Sequence, residues 1–300
     1  MHILLISTVP LGYTGYTRNY CACARVLQGL GISCVCLVPP SSAEMVAESL
    51  KDAGSVEYLS PQLFARSKGA RPDGILLFGN GKTPMALLAC ATAYTAGVPV
   101  LRVGDGALFL EVAPYSYQPD VALAYRCGLG FDPSLAGGLM LGQVGDFLNR
   151  KSGQSFTFEV LRRLRARQDD SALLLVGDGP MRMELTAQAA YEYLPVSMPG
   201  KTQSLHAMLM VMDVLLCPAE RVDPYLLAEA ALAGLPCIVS SRARGVGERD
   251  GILRLEPDPQ RWAEAALTLH AANQNREAIS AVRATGAEPV FSAFLRDIGK

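Results

Sequence analysis

Apolar positions fall into short blocks that alternate between two periods. His2–Ser7 is an apolar run with β-branched content. A turn follows at Gly12–Gly15. Tyr20, Cys23, Ala24, Leu27 and Leu30 then recur three or four residues apart, the spacing of one helix face. Gly29 and Gly31 end that helix. Ile32–Val38, closed by Pro39-Pro40, predicts a second strand. A helix near Ala43–Lys51, a weak strand at Val56–Leu59 and an apolar strand at Gly74–Phe78 come next. A helix over Thr83–Ala96 and a strand over Val98–Val103 complete the first series. Apolar strands flanked by helices imply a parallel sheet covered on both faces.

Residues 104–138 break the rhythm. They are rich in Gly, Pro and Tyr and mark a boundary. A second series opens at Leu139–Val144. A helix over Phe156–Arg167 is followed by the aliphatic strand Ala172–Val176 and a helix over Met181–Tyr193. Leu205–Met212, Val214–Cys217, Tyr225–Ala233, Cys237–Ser240 and Leu253–Leu255 continue the alternation, and a helix over Gln260–Ala272 closes it. Arg162, Arg163, Arg165 and Arg167 cluster on one helix, which reads as a solvated face. In parallel sheets, ligands bind beyond the carboxyl ends of the strands, where strand order reverses. The Gly-rich turns after His2–Ser7 and after Ala172–Val176 lie at such ends.

Composition narrows the classes. The chain has 300 residues, and about 150 per domain suggests two domains. Half the residues are apolar and 18% are charged, which excludes intrinsic disorder. Lys and Arg total 27 against 28 Asp and Glu, so no overall field draws nucleic acid or an anionic membrane. The longest uncharged stretch, Thr83 to Leu101, contains Pro84, Gly97 and Pro99 and is no transmembrane span. The first residues carry no basic flank or cleavage site of a secretory signal. Eight cysteines lack a CxxC pair, and there are three histidines, so a Cys/His metal site is disfavoured. Buried thiols in a reducing cytoplasm fit better. A peripheral position at a membrane stays open.

Three turns carry candidate chemistry. Leu11-Gly12-Tyr13-Thr14-Gly15 joins a strand to a helix, where backbone amides meet anions. It is not G-x-G-x-x-G, and no acidic residue ends the second strand, so nicotinamide binding is disfavoured. Gly79-Asn80-Gly81-Lys82-Thr83 matches the end of a phosphate loop, but Leu76 stands where its first glycine belongs. A turn with Thr83 as N-cap and Pro84 at the first helical position explains it better. The third is Gly177-Asp178-Gly179-Pro180, after Ala172–Val176 and before Met181-Arg182-Met183-Glu184-Leu185.

That third segment resembles the strand, GDGP and helix of GT-B fold glycosyltransferases, especially the retaining family-4-like group. Met212-Asp213-Val214-Leu215-Leu216-Cys217-Pro218 is similar to that family's ADVFVLPS segment, and Glu229 to Ser240 to its EAMACGLPVVAS segment. Gly245 to Glu248 with Asp250-Gly251, and Pro257-Asp258-Pro259, match two further segments in order. The resemblance implies an α/β GT-B architecture of two Rossmann-like parallel-sheet domains facing a cleft. An acceptor domain would span residues 1–137 and a donor domain residues 138–275. Residues 276–300 would cross back to the first domain through a helix at Val290–Ile298. The chain is shorter than is usual for the family.

The implied activity moves a sugar from a nucleotide sugar, UDP- or GDP-linked, to a hydroxyl acceptor that is a glycan, a lipid-linked molecule or a small molecule. It needs no separate cofactor and no metal. By resemblance, Glu229 holds the ribose from a helix start, where a carboxylate also suits the helix dipole. The implied donor-binding set is Gly12, Gly15, Gly177, Asp178, Gly179, Glu220, Leu226, Leu227 and Glu229. The departures fall on the diphosphate residues. Gln143 follows Gly142 where the family has Arg, and Arg221 stands eight residues before Glu229 where it has Glu. Aligning back from Leu164-Arg165 puts Ser152 at the family's Lys position, one residue after Lys151. Lys151, with Arg150 or Arg221, is then the candidate catalytic set. Glu220 or Asp223 replaces the missing Glu only after a loop shift. The family's first-domain His is also missing.

Three functions therefore stand open. The first is an active retaining transferase. The second is a non-catalytic GT-B protein that binds a nucleotide, a glycan or a partner subunit, as a homo- or hetero-oligomer. The third is an NTPase using Gly81-Lys82-Thr83.

Overall fold

The structure is a computed structural model. It describes residues 1–12, 15–42, 44, 50–51, 53–58, 71–79, 83–103, 119–167, 170–202, 205–244, 246, 251–272 and 294–296. The chain forms two compact units, Met1–Glu111 with Ala284–Lys300, and Val112–Arg283.

In the first unit the described elements are β1 (His2–Ser7), α1 (Gly15–Gly29), β2 (Ser33–Val38), β3 (Ser55–Tyr58), β4 (Gly74–Phe78), α2 (Pro84–Ala96) and β5 (Val100–Val103). The strands pair in parallel in the order β3-β2-β1-β4-β5. Leu4 lies beside Val35 on one side and Ile75 on the other. Period-two side chains divide the core. Ile3 and Leu5 pack with Tyr20, Cys23 and Leu27 of α1, while Ile6, Leu37, Ile75 and Leu77 pack with Ala86, Ala89 and Ala93 of α2. Phe294 and Leu295 rest against the first of these clusters. Thr83 caps α2 by accepting from the Ala86 amide at 3.2 Å, with Pro84 at the first turn. The phosphate-loop positions Asn80, Gly81 and Lys82 lie outside the described residues, as do most of the helix expected over Ala43–Lys51 and most of the one expected over Val290–Ile298.

The second unit holds α3 (Pro119–Gly128), α4 (Pro133–Ala136), β6 (Met140–Val144), α5 (Gln154–Arg165), β7 (Ala172–Val176), α6 (Arg182–Tyr191), β8 (Val196–Gly200), α7 (Leu205–Met210), β9 (Val214–Cys217), α8 (Pro224–Leu232), β10 (Cys237–Ser240), β11 (Ile252–Leu255) and α9 (Pro259–Ala272). Its strands are also parallel, in the order β11-β10-β9-β6-β7-β8. Leu141, Leu173, Leu175, Leu216 and Ile238 pack against Phe158, Leu161 and Trp262. Their alternates Met140, Leu174, Leu215 and Val239 pack against Leu209, Leu226 and Ala230.

α3 corrects the sequence reading, which expected no regular element there. Its Arg126 is buried. The guanidinium donates to the carbonyls of Val211, Ala136 and Gly138 at 2.8, 2.9 and 3.2 Å, and to Asp213 Oδ1 at 2.8 Å. Asp213 Oδ2 accepts from the Met140 amide at 2.7 Å. Removing either charge leaves the other largely buried without this partner, so the pair ties α3 to the start of β6.

Two smaller expectations change as well. Arg162 and Arg163 pair with Glu159, Arg162 also with Glu192, and Arg167 with Glu264, so that helix face is largely neutralised. No disulfide joins the cysteines, but not all are buried: Cys127 is exposed and Cys90 half-buried. Among the described residues, no helix is long and apolar enough to cross a membrane.

Candidate functional site

In the second sheet, strand order reverses beside β6, which has the next strand in sequence, β7, on one side and β9 on the other. Such a reversal splays the flanking loops apart and leaves a crevice at the carboxyl ends. A cavity of about 650 Å³ lies there. Its floor is Gln143 and Val144 from β6, Leu216 and Cys217 from β9, and Ser240 from β10. Its walls are the loops that leave those three strands.

The loop after β6 is built from the floor upward. The Gln143 side chain is buried; its Nε2 donates to the Ser152 carbonyl at 2.9 Å, and its Oε1 accepts from Thr157 Oγ1 at 2.5 Å. Above it, Asn149 Oδ1 accepts from the Lys151 amide at 2.9 Å and caps a single tight turn over Arg150–Ser152. Gly153 then takes a φ of 90°, and a β-carbon there would sit 2.4 Å from Pro218 Cγ. Only glycine fits both conditions. α5 begins directly after it without a side-chain cap. Ser152, Gly153 and Phe156 line the cavity, so a helix start with unspent amides borders it.

The cavity is rich in positive charge. Arg150, Lys151, Arg221 and Arg242 line it, with Asp146, Glu220 and Asp223. The acids are partly spent. Asp146 pairs with Lys201 at 3.1 Å, and Asp223 caps α8 by accepting from the Tyr225 amide at 2.9 Å. Arg150 reaches Glu184 only at 3.8 Å, both exposed. Lys151, Arg221 and Arg242 form no ion pair among the described residues. Burial pushes the Cys217 thiol up to about 12, so it stays protonated and is no thiolate nucleophile near neutral pH.

The site residues expected from sequence separate into groups. Lys151, Arg150, Arg221, Glu220 and Leu226 share the large cavity. Asp178 and Gly179 border a neighbouring hollow of about 400 Å³, with Asp146, Leu148 and Lys201. Gly177 has a packing reason of its own: at φ 149°, a β-carbon would fall 1.9 Å from the Gly145 carbonyl oxygen. That turn is also zipped to the loop after β6, since Phe147 N donates to Asp178 O at 2.9 Å and Met181 N to Phe147 O at 3.0 Å. Leu227 and Glu229 are buried and do not line either hollow. Glu229 sits one turn past Leu226 in mid-helix, not at a helix start, so the helix-dipole rationale for it falls away. Gly12 and Gly15 belong to the first unit, where the Gly12 amide donates to Thr17 Oγ1 at 3.0 Å and Gly15 opens α1. Tyr13 and Thr14 between them lie outside the described residues.

The sequence reading missed Arg242, Asp146 and Lys201 as cavity or rim residues. Their common signal is position, each within a few residues of a strand's carboxyl end.

Residues 138–272 match the family model of the glycosyl transferases group 1. No curated protein matches the chain by sequence. Among solved structures, a glycosyltransferase from Rickettsia africae is 12% identical with a TM-score of 0.70, covering 99% of this chain and 97% of that one. Anabaena HepE, solved with UDP and glucose, is 14% identical with a TM-score of 0.68, covering 97% and 94%. MnaA of S. aureus, solved with UDP, is 14% identical with a TM-score of 0.60, covering 100% and 98%. At such identities the likeness concerns the fold. Taken with the two parallel sheets, these likenesses show a GT-B fold, whose residues 138–272 match the family model of the glycosyl transferases group 1.

Proposed function

We propose that this protein is a retaining glycosyltransferase that moves a sugar from a UDP- or GDP-linked donor to a hydroxyl acceptor. One observation carries the reading. The cavity at the strand-order reversal lies inside the segment that matches the family, and four basic side chains and an uncapped helix start surround it.

The chemistry follows from charge. Breaking the bond between sugar and diphosphate leaves negative charge on the departing oxygens. Donors already fixed around that charge lower the barrier without reorganising. Lys151 is the main such donor, with Arg150 and Arg221 beside it. The helix start of α5 adds its partial positive charge. Glu229, buried one turn behind Leu226, holds the ribose in this assignment, and Glu229→Ala should weaken nucleotide binding. The acceptor is assigned to the first unit.

Gln143 favours a second reading. Where the family carries a cation, this chain has a neutral amide whose two ends are engaged by Ser152 and Thr157. A non-catalytic nucleotide- or glycan-binding subunit tolerates that exchange. The two readings separate when the purified protein is incubated with UDP- and GDP-sugars and hydroxyl acceptors. Release of nucleoside diphosphate, with a product of unchanged anomeric configuration by NMR, supports the transferase. Binding without release from any donor supports the subunit.

A further inference from the structure

We infer that Arg242 is a phosphate-binding residue of the large cavity, placed opposite Lys151. It supplies from the β9–β10 side the positive charge that Gln143 withholds on the β6 side. The inference rests on reading this cavity as the donor site.

Four observations support it. First, Arg242 lines the cavity, and its exposed side chain forms no ion pair or side-chain hydrogen bond among the described residues. A guanidinium left unspent beside a cavity is available to an anion. Second, its base is fixed. The Arg242 amide donates to Ser240 Oγ at 3.2 Å. Arg254 of β11 spends its guanidinium on the same turn, donating to the carbonyls of Val246, Ser241 and Ala243 at 2.5, 3.1 and 2.8 Å. Arg254 is thus a positioning residue for Arg242. Third, the turn is joined to the loop that carries Arg221. Arg221 and Arg244 form a parallel bridge, and the Arg244 amide donates to the Glu220 carbonyl at 2.9 Å. Arg221 and Arg242 therefore stand on one linked wall. Fourth, sheet order puts that wall across from the β6 loop, because β9 lies between β10 and β6. A diphosphate between the two walls meets Arg150 and Lys151 from one side and Arg221 and Arg242 from the other.

The experiment titrates inorganic pyrophosphate, UDP, GDP and uridine into the wild type, Arg242→Ala, Arg242→Lys, Arg254→Leu and the Arg242→Ala, Arg254→Leu double variant. Loss of one charge-assisted contact should weaken pyrophosphate and diphosphate binding about tenfold in Arg242→Ala. Any uridine binding should stay as it is, and Arg242→Lys should recover part of the loss. Arg254→Leu should weaken pyrophosphate binding in the wild-type background and add nothing once Arg242 is alanine. Equal pyrophosphate affinity in wild type and Arg242→Ala overturns the inference, and so does an equal loss for uridine. A wild type that binds pyrophosphate through Arg242 but neither nucleotide supports Arg242 and overturns the donor reading. A wild type that binds no pyrophosphate and no nucleotide overturns both.

Discussion

At the carboxyl end of β1, the first unit presents Ser7, Thr8, Val9, Pro10, Leu11 and Gly12. At the carboxyl end of β6, the second presents Gly145, Asp146 and then Asn149, Arg150 and Lys151. Both strands occupy the same place, first in sequence and beside the reversal of strand order. In the first unit, hydroxyls satisfy one another and the backbone. Ser7 Oγ lies 2.9 Å from Tyr16 Oη and donates to the Val9 carbonyl at 2.6 Å. In the second, a capped turn raises cations over a cavity. Among the described residues, the end of β1 is thus lined by hydroxyls and the end of β6 by charges. The difference at these two strand ends lies in the loops that follow them.

The comparison can be broken most forcefully at the base of the second unit. Arg126→Met should cost about 3 kcal/mol, because the largely buried Asp213 loses the guanidinium that pairs with it. Chemical denaturation measures it, and a cost below 1 kcal/mol would mean the pair does not anchor α3. Next come two glycines in strand-to-helix turns, one in each unit. Gly177→Ala should cost at least about 2 kcal/mol, since both its φ and the Gly145 carbonyl oppose a β-carbon. Gly12 has nothing within 4 Å of a β-carbon, so Gly12→Ala should change stability by no more than about 0.5 kcal/mol. Equal melting temperatures for the two variants would erase the contrast.

A smaller effect concerns pH. Burial raises the Cys217 thiol from its ordinary 9.0 to about 12. The native state therefore holds a proton that the unfolded chain has lost. Stability is full below pH 9 and falls as pH rises from there towards 12. Cys23 in the first unit, raised by burial, acts in the same direction. Cys217→Ala should flatten part of the alkaline decline in melting temperature, and an unchanged slope would contradict the burial argument.

Much of the sheet framework was legible. The strands at Gly74–Phe78 and Ala172–Val176 fall where continuous aliphatic runs predict them. The missed elements have physical reasons. α3 inverts the usual pattern, since Val121, Leu123 and Tyr125 are exposed while Arg126 is buried. Periodicity of apolar residues cannot find such a helix. β8 is a half-buried edge strand containing Pro199, which hides it from a search for apolar runs. Lys151, reached through family spacing one residue off register, and Arg150, named beside it as a further charge, both line the cavity. Arg242 was not legible, because its place depends on Arg254 and on the bridge between Arg221 and Arg244, contacts that no spacing encodes.

The charged strand end of the second unit is proposed to bind the diphosphate of a nucleotide sugar. Calorimetric titration of UDP and GDP into the wild type and Lys151→Ala tests it most directly. One of the two nucleotides should bind the wild type, and the variant should bind it about ten- to a hundredfold more weakly, the loss of a hydrogen bond to a charged group. Equal affinity in the two proteins would contradict it.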